Sequence, residues 1–391
     1  MKIKKQQLEF MDWEFGAFFH FGIRSCFLGH KDWDGKEMSL SEFNPTELDC
    51  EQWIREFKNA GAKYAILTAK HHDGFANWPS KYTEFSVKNT PWKNGKGDVV
   101  REYVDACHKY DMKVGLYYSP AQWGNKAVAA FQNGKDYDDY FINQLSELLT
   151  NYGVIDYLWF DGNGSGGHEY DWDRIFIKIH EMQPNILVFG EGKPDVRWIG
   201  NEDGYAPLPN INVVNDSFLP GECDTNMRST WFDCEKNDDT VYEVDELVGL
   251  YMMSVGRGAN FLLNIGPTCK GILPSLDVDV LRKFSSEIKR RFSSPIDDFC
   301  NIIRVDDTHF KIEADTRHLI DTVVIMEDMS CGGTVREFKL WSGDNIIYNG
   351  LTIAHKAICT FPTVKTNEIT LQITKTESPF DIKNIRCYYT K

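Results

Sequence analysis

Between residues 16 and 290, short apolar runs alternate with segments whose apolar positions recur three and four apart. The first pattern marks strands buried on both faces and the second marks amphipathic helices, so together they predict parallel strands joined by crossover helices. Strands are predicted in FGAFFHFG (15–22), YAILTAK (64–70), KVGLYYS (113–119), VIDYLWF (154–160), ILVFG (186–190) and ANFLLNI (259–265). Helices are predicted over 50–60, 98–111, 138–152, 171–183, 243–255 and 276–291. The strands still missing from a set of eight are expected within 195–245, where the pattern is weak.

Such strands, covered by helices, can form an open doubly wound sheet or a closed barrel. No Gly-rich phosphate loop follows the first strand, and polar residues cluster after the C-terminal ends of almost every strand, which favours a (β/α)8-type TIM barrel. After Pro295 the texture changes to short alternating segments: HFKIEAD, TVVIMED, REFKLWS, EITLQIT and IRCYYTK. These read as antiparallel strands. The expected organisation is a catalytic barrel over 1–294 and a C-terminal β-sandwich over 295–391, with an end-on packing role for the sandwich.

Composition narrows the partners. A formal charge of −15 disfavours nucleic acid and anionic membrane surfaces, while 14% aromatic residues suits a site for a neutral carbohydrate. Ten cysteines without a CxxC or a tight framework spacing read as reduced, mostly buried thiols. The basic start MKIKKQQLEFMDW lacks a following apolar region, so a cytoplasmic protein is expected, or a secreted or periplasmic one if a leader is removed. Oligomeric state has no signature in the chain.

The chemistry concentrates in Lys70-His71-His72-Asp73-Gly74-Phe75, directly after a strand. His20 ends the first strand in the same way, and Asp161-Gly162 follows VIDYLWF, so independent strands deliver polar groups to one rim. One alternative is a metal cluster of His20, His71, His72 and Asp161, but adjacent histidines rarely point the same way. No metal or other cofactor is expected. The tract GNGSGGH (162–168) lacks the Lys and Ser/Thr of a P-loop, and no GxSxG pentapeptide occurs, which sets aside a nucleotide cradle and an esterase elbow. Asp216, Glu222 and Asp224 read as a solvated acidic loop, with a contact to a leaving group as the other reading.

FGAFFHFG (15–22), YAILTAKHHDGFANWPSKYTEFSV (64–87), KVGLYYSPAQW (113–123), LWFDG (158–162), PDVRWIGNEDG (194–204) and SVGRGANFLLNIGP (254–267) resemble, in order, glycoside hydrolase family 29, the α-L-fucosidases. The last two segments look like the branch acting on α-1,3 and α-1,4 fucosides of Lewis-type glycans. The resemblance implies a retaining exo-α-L-fucosidase acting on fucosylated oligosaccharides or glycoconjugates. A broad-specificity or α-1,2-acting enzyme of the same family, or a non-catalytic fucose-binding protein on this fold, is the alternative.

Carried onto this chain, the resemblance makes Asp161 the nucleophile and Glu202 the acid/base, with Glu191 the rival for the second role. Retaining chemistry needs two such carboxylates ~5 to 5.5 Å apart across the scissile bond. His20, His71 and His72 are implied as sugar-binding residues, each neutral imidazole offering one donor and one acceptor. Asp32 and Trp33 resemble the family's acidic-Trp pair, with Asp in place of the more usual Glu. Tyr117 is the expected sugar contact, although only one of Tyr117 and Tyr118 can face inward. Arg197 resembles an arginine that would keep Asp161 ionised, and Trp231 would supply an apolar wall for the C6 methyl.

Overall fold

The computed structural model describes residues 3–27, 38–121, 135–162, 168–233, 237–299 and 301–391. The apolar runs become strands β1 (Phe15–Phe19), β2 (Tyr64–Lys70), β3 (Lys113–Tyr118), β4 (Tyr157–Phe160) and β5 (Leu187–Phe189), then β6 (Arg197–Trp198). A hairpin of β7 (Val213–Val214) and β8 (Ser217–Phe218) precedes β9 (Gly221–Asn226) and β10 (Asn260–Asn264). Eight of these form one parallel sheet in the order β5-β4-β3-β2-β1-β10-β9-β6. A further bridge between Phe189 and Val196 brings its two edges together, giving the TIM-like barrel expected from the sequence.

Helices α1 (Lys5–Trp13), α2 (Cys50–Ala60), α3 (Val99–Lys109), α4 (Lys135–Asn151), α5 (Trp172–Met182), α6 (Val244–Ser254) and α7 (Ser275–Phe292) complete this part. Several begin where an Asp side chain accepts from a first-turn amide: Asp49 from Gln52, Asp98 from Arg101 and Asp171 from Arg174. The helices bury their apolar stripes against the outer faces of the strands in one continuous core. Side chains also fill the barrel's interior. Phe10 of α1 enters the N-terminal end and packs on Tyr64 and Tyr157, with ring centroids 5.9 and 5.3 Å away. Gly16 in β1 makes room for this layer, since a Cβ there would lie 2.3 Å from the Tyr64 ring.

The two strands that the apolar pattern left open are β6 and β9. Strand β9, GECDTN, overturns the solvated-loop reading for Glu222 and Asp224, both of which are buried in the barrel. Polar inner positions on this strand hid it from a search for apolar runs. Glu222 accepts from Tyr64 Oη at 2.6 Å, Trp159 Nε1 at 2.9 Å and Tyr157 Oη at 3.1 Å. Burial outweighs these bonds and lifts its pKa from 4.5 to about 7. The folded protein therefore holds this proton more tightly than the unfolded chain. Stability from this group is highest below pH 4.5 and falls as pH rises to 7, by about 3 kcal/mol. Glu222→Gln is expected to remove that slope. Thermal melts of both proteins at pH 5 and pH 8 should show the variant gaining on the parent at the higher pH; a constant difference would refute the shift.

The cysteine reading also needs correction at one pair. Cys26, after β1, and Cys269, after β10, form a disulfide across 243 residues of sequence. Linear spacing carried no hint of it because the pairing of β1 with β10 brings these segments together. Six other described cysteines are free, five of them buried.

The C-terminal segment forms β11 (Ile302–Arg304), β12 (His309–Glu327), β13 (Val335–Ser342), β14 (Asn345–Gly350), β15 (Ala357–Thr376) and β16 (Ile382–Tyr388). All pair antiparallel. Register irregularities between Glu313 and His318 and between Ile320 and Thr322 interrupt the ladder of the two long strands; the C-terminal part of β15 also pairs β13, and the C-terminal part of β12 also pairs β16. Their inward residues make a separate core. The sandwich docks at the N-terminal ends of the barrel strands: Ile358 donates to Gly256 O at 3.1 Å, and Lys356 pairs with Glu14, which directly precedes β1. Among the described residues no helix is long and apolar enough to cross a membrane.

Candidate active site

At the C-terminal ends of the barrel strands a cavity of about 760 Å³ opens, with both apolar and titratable groups in its wall. Its aromatic floor is Phe18, Tyr117, Trp159 and Phe189. Trp159 stacks on Phe189 at 4.1 Å and on Tyr117 at 5.4 Å. The bond from the Trp159 indole to Glu222 anchors this stack to β9.

Asp161 sits just past β4 with its side chain 26% exposed. Its Oδ2 accepts from Tyr117 Oη at 2.9 Å, and His72 Nε2 lies 3.4 Å away. Tyr117 is thus the inward member of its pair. Tyr118 points outward to Phe141, and its hydroxyl donates to Gln144 at 2.6 Å.

The protonation of His20 follows from its neighbours. Asn264 donates its amide to Trp231 O at 2.7 Å and to Asn226 Oδ1 at 3.1 Å, so its Oδ1 is the acceptor facing His20 Nδ1 at 2.8 Å. His20 Nδ1 therefore carries the hydrogen. Burial lowers its pKa to about 3, so the ring is neutral and Nε2 is an acceptor. His71 is also driven well below its ordinary value by burial. It stacks on Tyr117 at 5.5 Å, and its buried Nδ1 has no hydrogen-bond partner among the described residues. Asp73 of the same motif braces the turn instead of facing the cavity. It accepts from Phe75 N at 2.8 Å and lies 3.6 Å from buried Arg24.

Glu191 and Glu202 both line the cavity. Glu191 presses on the residue after Asp161, where a Cβ on Gly162 would lie 2.1 Å from its Oε1. Glu202 is exposed, on the loop after β6. Trp231 forms an apolar wall beside His20, with ring centroids 4.8 Å apart.

Arg197 lines the cavity, but its guanidinium serves a different partner from the one expected. It donates to Asn210 Oδ1 and to Ile211 O at 3.1 Å, while Asp161 is held by Tyr117 and His72. Asp32 and Trp33 lie outside the described residues. Sequence reasoning passed over Trp198 and Ser119, and it placed Asp224 in a solvated loop instead of in the barrel. Trp198, 45% exposed in the cavity wall, donates its indole N–H to buried Asp224 at 2.8 Å. The strand end that places Tyr117 was a signal that could have drawn attention to Ser119, two residues further on.

The α-L-fucosidase family model matches residues 1–290. α-L-Fucosidase 1 of Arabidopsis thaliana is 36% identical over 313 residues, covering 74% of this chain and 60% of that protein. The chain thus spans about three fifths of the length of this relative. A solved glycoside hydrolase 29 family member from an unknown rumen bacterium aligns with a TM-score of 0.91 at 32% identity, over 100% of this chain and 77% of that one. A Ruminococcus gnavus GH29 fucosidase solved in complex with fucose aligns with a TM-score of 0.84 at 26% identity, over 99% of this chain and 94% of that one. With the family model spanning the whole barrel, the chain belongs to the α-L-fucosidases, glycoside hydrolase family 29.

Proposed function

We propose that this protein is a retaining exo-α-L-fucosidase that releases terminal α-1,3- or α-1,4-linked L-fucose from Lewis-type glycans. The observation carrying this reading is one cavity lined by Asp161, Glu202 and three histidines in a chain of this family. Asp161 attacks the anomeric carbon while Glu202 protonates the departing oxygen, giving a fucosyl ester on Asp161. Glu202 then takes a proton from water, which cleaves the ester with overall retention. His20, His71 and His72 bind the fucose hydroxyls, His20 by accepting at Nε2. Trp231 and Phe18 receive the C6 methyl, where a hydroxyl would lose its hydrogen bonds.

The leaving sugar must lie beside Glu202, at the mouth, where Trp198 offers an exposed aromatic face. In this reading that face receives the second branch of a Lewis-type trisaccharide. Hydrolysis of linkage-defined oligosaccharides is therefore expected to favour α-1,3 and α-1,4 bonds by at least about tenfold in kcat/KM, equivalent to about 1.4 kcal/mol of transition-state binding. Preference for α-1,2-fucosyl lactose would overturn the linkage assignment and leave the fucosidase assignment in place. The chain and its Cys26–Cys269 disulfide suit an oxidising compartment better than the cytoplasm expected from its N-terminus.

A further inference from the structure

We infer that Ser119 is a positioning residue for the nucleophile: it presents the His72 imidazole to Asp161 with a hydrogen on Nε2, and Lys70 frees the serine hydroxyl to do so. The inference rests on the catalytic role proposed for Asp161.

Ser119 is fully buried directly after β3, and its backbone N–H donates to Lys70 O at 2.9 Å, fixing it against the end of β2. Its Oγ lies 2.6 Å from His72 Nδ1 and 2.9 Å from Ala121 O. One hydroxyl hydrogen therefore faces two acceptor positions. Lys70 resolves the competition. Its side chain is buried, with Nζ 4.4 Å from the centre of the Tyr118 ring and 3.3 Å from Ala121 O. An amine hydrogen can serve that carbonyl, leaving the serine hydrogen for Nδ1.

With Nδ1 accepting, a singly protonated ring must carry its hydrogen on Nε2, which stands 3.4 Å from Asp161 Oδ2. The opposite tautomer would aim a lone pair at a carboxylate oxygen. The same oxygen accepts from Tyr117, so residues at the ends of β2 and β3 together set the orientation of the carboxylate. Ser119 touches neither Asp161 nor the sugar in this arrangement; it acts through His72.

The test compares wild type with Ser119→Ala, Ser119→Thr and Ser119→Cys in two measurements. One is turnover of an aryl α-L-fucoside. The other is single-turnover labelling of Asp161 by 2-deoxy-2-fluoro-fucosyl fluoride, followed by mass spectrometry. Ser119→Ala is expected to slow both by about ten- to thirtyfold, mostly in kcat, because a buried ring nitrogen loses its donor and the imidazole its fixed orientation. The hydroxyl of Ser119→Thr should restore most of the labelling rate, and the weak donor of Ser119→Cys only part of it. Cys also keeps the site filled if the alanine variant does not fold. Wild-type labelling in Ser119→Ala or Ser119→Cys, or slow labelling that threonine does not restore in a folded protein, overturns the inference. A wild-type chain inert toward both reagents would overturn the catalytic reading itself and this one with it.

Discussion

Asp161→Ala is expected to reduce turnover of an aryl α-L-fucoside by roughly 10⁴-fold, because the carboxylate proposed to form the covalent intermediate is removed. The carboxylate is partly exposed at a strand end, so its loss removes the acceptor for Tyr117 and the partner of His72 without opening the core. The melting temperature should change little. The vacated space lies on the face of the sugar opposite the leaving group. Azide entering there should restore part of the activity and yield β-fucosyl azide, the inverted product. Wild-type rates in the alanine variant would remove Asp161 from its role.

The second large effect belongs to Glu202 and depends on the leaving group. Glu202→Ala should lower kcat/KM on a natural oligosaccharide by about 10³-fold, since the departing alkoxide is a poor leaving group without general-acid help. An activated aryl fucoside, which departs unaided, should lose less than about tenfold in the same parameter. Its later steps then lack a general base, so the fucosyl ester should accumulate and azide should speed its removal. An equal loss on both substrates would make Glu202 a binding residue. If Glu191→Ala gave the split pattern instead, the acid/base role would pass to the carboxylate packed on Gly162.

Much of this was legible in the chain because the strands carrying the chemistry are also the most apolar. YAILTAK and VIDYLWF announce themselves as buried strands, and the polar residues following them fall at the rim by topology. Strand β9 was illegible for the converse reason. Its inner positions are carboxyls matched to tyrosine and tryptophan donors from other strands, and such matching is visible only after folding. Arg197 shows a related limit: its place in the cavity wall could be expected, but its bond to Asn210 depends on a loop whose path leaves no periodic trace. The Cys26–Cys269 pair likewise follows from strand order, a property of the closed sheet.

The seams of the barrel differ in strength. Between β1 and β10 the ladder runs through four residue pairs and is stapled close by through Cys26 and Cys269. Between β5 and β6 the closure rests on the Phe189–Val196 bridge and on bonds from the Asp195 and Val196 amides to Val188 O, beside a strand only two residues long. Parting neighbours costs least where the fewest bonds must break. Glu191 and Glu202 are carried on the segments flanking that weak join. Breathing of the wall there would widen the mouth of the cavity beside these two carboxylates, while the opposite side, bearing His20, keeps its shape.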